Sequence, residues 1–292
     1  MLIKSPDDIK KIKENGVLIG EILDKLVAMC KPGVSAGEID RAAEKMIIKS
    51  GGRPAFKGYK NVPADSPFPS TICASANNQL VHGIAYDDDI LEKGDIFTID
   101  IGMEWPYKYQ ISKIKNQKLQ SKDKKLGIID FGKRQGLFSD TAVTVIVGGD
   151  DAAPEKTIEL LRVTRESMEA GIRAAKVGNS VADIGKAVED YINSQGKYGI
   201  IRDLVGHGVG HAVHEDPRIP NYYEARLGGF ILKPGMVIAI EPMVSLGTHK
   251  VRTGADGWVI EMADGSLCAH YEHTVIITPD GPVVATRRPS EK

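Results

Sequence analysis

The chain has 292 residues, 42% of them hydrophobic, with 38 Lys and Arg against 39 Asp and Glu for a formal net charge of -1. That is enough apolar material for a sizeable core, and so even a charge balance excludes non-specific attraction to nucleic acid as the main activity. Cys30, Cys73 and Cys268, with no CxxC spacing, exclude a disulfide framework or zinc ribbon and fit a reducing cytoplasm.

The start MLIKSPDDIKKIKENG is charged, and nothing later is apolar for long enough to span a bilayer, so a cytoplasmic protein with no membrane contact is expected. Ser5 as cap, Pro6 at the first helical position and Asp7 and Asp8 in the first turn predict a helix running to about Met29. After the turn Lys31-Pro32-Gly33, Ser35 and Glu38 form a capping box for a second helix that stops near Ser50, at Gly51 and Gly52. Strands are predicted at Thr71 to Ala74, Ile96 to Gly102, Thr141 to Val147, Leu204 to Val209, Val237 to Ile240, Trp258 to Met262 and His273 to Thr278, with a third long helix from Ala152 to Ala175.

Between Trp105 and Gln135 the regular pattern stops. WPYKYQISKIKNQKLQSKDKKLGIIDFGKRQ is crowded with Lys and Arg against only Asp123 and Asp130. A solvated loop is the ordinary reading of such a stretch, and contact with ribosomal RNA the sharper one. Elsewhere the chain repeats itself. An offset of 145 lays Lys31 on Lys176, Gly33 on Gly178, Ser35 on Ser180, Ile39 on Ile184 and Gly51 on Gly196, which predicts two related halves facing one another across a cleft.

The densest chemistry lies in LVGHGVGHAVHEDP, Leu204 to Pro217, with His207, His211 and His214 among glycines. If this run is extended, His207 and His211 share a face and His214 does not. With no HExxH, a two-histidine zinc helix is excluded, and one histidine completed by distant carboxylates is expected. Asp100 closes GDIFTID, Asp140 closes GLFSD, Glu241 ends GMVIAIE and Glu272 precedes HTVIIT. Each alone reads as a solvated acid or a cap. Together with a glycine-framed histidine they make an oxygen-rich set that suits two close divalent ions better than one structural zinc.

STICASANNQLVHGIAYDD, GDIFTIDIG, GLFSDTAVTVIVG, GHGVGHAVHEDP, MVIAIEPM, DGWVIEM and AHYEHTVIIT, in that order, make the chain resemble the type I methionine aminopeptidases over nearly its whole length. The resemblance implies an α+β pita-bread fold with a central curved antiparallel sheet and outer helices. One catalytic domain, 1–292, would be built from pseudo-symmetric αβ halves at about 1–150 and 151–285, with the basic insertion at about 105–135. The resemblance implies that Asp100, Asp140, His207, Glu241 and Glu272 bind two divalent metal ions (cobalt, manganese, iron or zinc), with Asp140 and Glu272 bridging.

Glu241 would double as general base, and His82 and His214 would be the two histidines that touch substrate without binding metal. Phe56, Tyr59, Cys73, Trp258 and Val213 would line a methionine pocket, whereas His211 carries no role. The implied activity is removal of N-terminal methionine from nascent peptides whose second residue is small, by a monomer. The eukaryotic members' zinc-binding extension is missing, which points to a prokaryotic or organellar kind. The insertion departs from the family's short hairpin, and IIDFG around Asp130 echoes TIDIG around Asp100, so Asp130 is the alternative first ligand. Asp100 is preferred for its lead-in and its spacing from His82. The competing readings are an Xaa-Pro aminopeptidase or prolidase with the same ligands, and an inactive binding module on the same fold.

Overall fold

The structure is a computed structural model describing residues 2–60, 66–108 and 136–291. Residues 109–135, which hold Asp130 and most of the basic insertion, lie outside the described residues.

Local chemistry starts the helices. α1 spans Pro6–Val27, α2 Ala36–Lys49, α3 Glu155–Ala174 and α4 Val181–Gln195. Ser5 with Asp8, Ser35 with Glu38 and Ser180 with Asp183 each complete a reciprocal capping box. α3 begins later than the expected Ala152. Pro154 caps it and forces Ala153 into extended backbone, while a 3-10 turn occupies Asp150–Ala152.

Among the described residues, the helices cover one face of a nine-stranded antiparallel sheet. Its path runs Arg53–Pro54, Ile96–Trp105, Leu137–Ile146, Glu272–Thr278, Val237–Ile240, Gly206–Gly208 and Glu215–Ile219. Ile72–Ala76 also pairs with Ile96–Trp105, and Gly281–Val284 with Glu272–Thr278. Side chains alternate along a strand, so Phe97, Ile99, Ile101 and Met103 turn to the helix side. There they join Ile19, Leu23 and Leu26 of α1 and Leu160 and Val163 of α3 in the main core. The opposite face carries the polar residues described below.

Residues related by the 145-position offset make matching main-chain bonds. Gly33 N–H donates to Leu91 O and Gly178 N–H to Leu232 O, while Ser35 bridges to Ile90 and Ser180 to Ile231. Gly94 and Gly235, both at positive φ, then lead into the strand that carries Asp100 and the strand that runs up to Glu241.

Several strand limits differ from expectation for identifiable reasons. Leu137–Ile146 starts earlier than Thr141, because its pairing with Ile96–Trp105 continues to Trp105↔Leu137, and Asp140 therefore lies inside a strand. The histidine strand shrinks to Gly206–Gly208, since Gly210 at φ +136 turns the chain before His211. Trp258 and Val259 both donate to Asp256 Oδ1, a side-chain turn that delays that strand until Ile260. At the root of the basic segment Gly136 N–H donates to Glu104 Oε1 at 2.8 Å, closing the hairpin beneath it.

Candidate metal centre and substrate cleft

Sheet register gathers the acids. Cys73 is opposite Asp100, Asp100 opposite Ala142 and Ala142 opposite Glu272, so all four share a face. Asp140, two positions from Ala142, points the same way. Glu241 follows directly on Val237–Ile240, and His207 sits on the strand beside it. His207 Nε2 lies 3.5 Å from Asp140 Oδ2 and 3.4 Å from Glu241 Oε1. One ligand atom each from Asp140, His207 and Glu272 can be chosen so that all lie within 4.8 Å of one another.

The supports are specific. His207 Nδ1 lies 3.0 Å from Gly208 O; a proton held there leaves the Nε2 lone pair facing the acids. Thr274 Oγ1 is 3.1 Å from Asp140 Oδ1, Asn221 Nδ2 donates to Glu241 O, and Thr141 Oγ1 donates to Glu272 O.

This many buried carboxyls without a cation resist ionisation. Burial pushes Asp100 up to about 7, and Asp140 and Glu241 add to the effect while His270 opposes it. Burial likewise pushes Glu241 up to about 8, against His207. Glu272 is raised well above the usual carboxylate range by burial, then by Asp140, Glu241 and Asp100. Asp140 is raised by burial too, with His207 the chief opposing influence. Asp100 Oδ1 is buried without a hydrogen-bond partner. Buried anionic oxygens with unused lone pairs are what divalent cations satisfy, and a bound cation reverses this resistance.

The acids open into a cavity of about 950 Å³ that also takes in His82, His214 and the apolar wall of Phe56, Tyr59, Cys73 and Trp258. Phe68, which the sequence did not single out, meets Trp258 edge-on at 5.2 Å between ring centroids. Val213 does not line this cavity. It lies in a smaller one of about 350 Å³ on the other side of Tyr59 and His214.

His82 holds φ +60, rare for a side-chain-bearing residue and characteristic of functional sites. Burial, then His270, pushes its pKa down to about 4. His214 has an edge in solvent, yet its packed surroundings, then His207 and His82, push it to about 3. Its Nδ1 is 3.1 Å from the Tyr59 hydroxyl. The run is extended only to Gly208, so strand alternation does not govern His211, which borders the same cavity with its Nε2 3.5 Å from Asp8 Oδ2.

His270 is a fully buried ring on the cleft that the motifs passed over. Its place two residues before Glu272 is the one signal available. The chain changes sheets between the two, so simple alternation does not report their shared position.

A face of acids completed by one histidine above an apolar cleft defines a metal-dependent hydrolase. Residues 10–113 and 110–279 match the model of metallopeptidase family M24, and the chain belongs to that family. Within it, the full-length similarity is to methionine aminopeptidases. The enzyme of that name from Clostridium acetobutylicum is 36% identical, covering 98% of each chain. The crystal structure of methionine aminopeptidase from Thermotoga maritima superposes with a TM-score of 0.82 at 35% identity, covering 99% of this chain and 100% of that one. The prolidase from Pyrococcus horikoshii is also similar, with a TM-score of 0.65 at 25% identity, but only 64% of its chain is covered. The curled antiparallel sheet with outer helices is the pita-bread fold of these enzymes.

Proposed function

We propose that this chain removes the N-terminal methionine from nascent peptides with a small second residue, in the cytoplasm, as a monomer. The observation that carries this reading is the convergence of four acids and His207 at the head of a cleft walled by Phe56, Tyr59, Cys73 and Trp258. Asp100, Asp140, His207, Glu241 and Glu272 would hold two divalent ions, cobalt, manganese, iron or zinc. Such ions, when bound, supply Lewis acidity and lower the pKa of water to near neutrality.

The chain's own residues do the rest. Glu241 accepts the proton of the attacking water and delivers it to the leaving amine. His82 and His214 act as neutral hydrogen-bonding groups, since both pKa values lie far below neutral pH. The aromatic wall takes the methionine thioether, for which such contacts are favourable. The repeated cap and bridge contacts of Ser35 and Ser180 support one catalytic domain of two related halves. The basic insertion, about 105–135, would touch ribosomal RNA. Deleting it should reduce co-sedimentation with ribosomes at low salt, and unchanged association would end that part of the reading.

Release of methionine from Met-Ala-Ser, compared with cleavage of Xaa-Pro peptides and with and without a chelator, tests the whole. Turnover that survives complete metal removal, or a preference for Xaa-Pro, would overturn it.

A further inference from the structure

His270 is 1% exposed and borders the cleft, yet neither of its ring nitrogens has a hydrogen-bond partner among the described residues. An apolar side chain would fill that space without the cost of stripping water from two polar atoms. The main chain gives the ring little freedom. His270 N–H donates to Thr144 Oγ1 at 2.9 Å, and the same hydroxyl donates back to His270 O at 2.9 Å. Thr144 Oγ1 is itself 2.8 Å from Thr98 Oγ1, and His270 pairs with Met243 on the neighbouring strand. The ring is therefore held with Nε2 at 3.4 Å from Glu241 Oε2, while Oε1 of the same carboxylate faces His207 Nε2 at 3.4 Å. Glu241 lies between two imidazoles, one on each oxygen.

We infer that His270 is a positioning residue for Glu241: its Nε2–H engages Oε2 and so leaves Oε1 aimed across the site. The inference rests on the reading of Glu241 as metal ligand and base. A carboxylate rotates almost freely about its last torsion. Anchoring one oxygen presets the direction in which the other offers its lone pairs, and partners that orient ligands in this way commonly set metal affinity. At 3.4 Å the contact is a little longer than a formed hydrogen bond, a gap that a small rotation of the carboxylate closes.

Cobalt(II) titrated into the metal-free protein provides the test, read by calorimetry and by the visible d–d band. Turnover of Met-Ala-Ser at saturating cobalt and a melting curve are recorded for each variant. His270→Ala should weaken cobalt binding about 10- to 100-fold and lower kcat, without moving the band. His270→Gln, whose amide N–H reaches the same oxygen, should recover most of the loss. In a Glu241→Gln background, His270→Ala should cost little more.

Unchanged affinity and turnover in His270→Ala, while Glu241→Gln loses both, would overturn the inference alone. Losses that add in full to those of Glu241→Gln would do the same, as would a shifted band, which would make the ring itself a ligand. If Glu241→Gln changes nothing, the reading of Glu241 falls and takes the inference with it. Should His270→Ala fail to fold, His270→Asn, too short to reach Glu241, carries the same expectations.

Discussion

His207 Nε2 lies 3.5 Å from Asp140 Oδ2, although Glu272–Thr278 and Val237–Ile240 separate their two strands in the sheet. On a flat sheet three strand spacings would hold the backbones about 14 Å apart. The contact therefore depends on the sheet curling around this face as well as on side-chain reach. Asp140→Asn and His207→Ala should each lower kcat/KM for Met-Ala-Ser by about 10²-fold or more, at least matching the loss seen when supporting partners of metal ligands are removed. Both should also release metal on dialysis. Either variant retaining full metal content by elemental analysis would count against the shared site.

The metal-free chain should become less stable as pH rises from 6.5 to 8. Asp100, at about 7, and Glu241, at about 8, keep protons in the folded chain that ordinary unfolded carboxylates have already lost. His82 and His214, depressed when folded, are about half protonated in the unfolded chain at pH 6.5 and so favour the opposite trend, but that release is nearly over by about pH 7.5 and is smaller than the effect of the two acids. The folded state thus binds more protons, and the slope of stability against pH is negative. Loaded with manganese, the acids are ionised as ligands and the fall should vanish. Calorimetric melting of chelated and loaded protein at the two pH values checks this; a chelated protein equally stable at both would refute it.

Trp258 closes one side of the cavity against Phe68, in the wall proposed to take the methionine side chain. Burying a methionine side chain contributes about 1.5–3 kcal/mol, and removing one wall forfeits roughly a third to a half of that. Trp258→Ala should therefore raise KM for Met-Ala-Ser several-fold with a smaller change in kcat. An equal loss with a substrate whose first side chain is only a methyl group would argue that Trp258 serves the fold instead.

Gly16 lies within α1, where alanine would ordinarily be better by about 1 kcal/mol. A Cβ there would stand 2.3 Å from the main-chain oxygen of Ala285, which cannot rotate away. Overpacking of this kind costs about 1–3 kcal/mol, so the clash should win. Gly16→Ala should lower the melting temperature, and an unchanged or higher value would show that the contact yields easily.

Helix starts were legible because capping is local: Ser5, Ser35 and the groups that complete them are three residues apart. The start of α3 was not, because Pro154 overrode an otherwise helical pattern. Motif resemblance picked out Asp100, Asp140, His207, Glu241 and Glu272 as a set, and all five line one cavity. It misplaced Val213, since a loop residue has no periodicity to say which wall it faces. Phe68 and His270 went unnoticed because their importance comes from neighbours far along the chain.

By itself the sequence determined which residue types exist to bind cations, where the helices begin, and which segments alternate as strands, all consequences of spacing within a few residues. Only the tertiary structure decided that Cys73, Asp100, Ala142 and Glu272 form one row, that both oxygens of Glu241 face imidazoles, and that His211, on the border of the cavity, meets Asp8. Those facts depend on strand register and sheet curl, which arise from pairing between segments as much as two hundred residues apart and have no local signature.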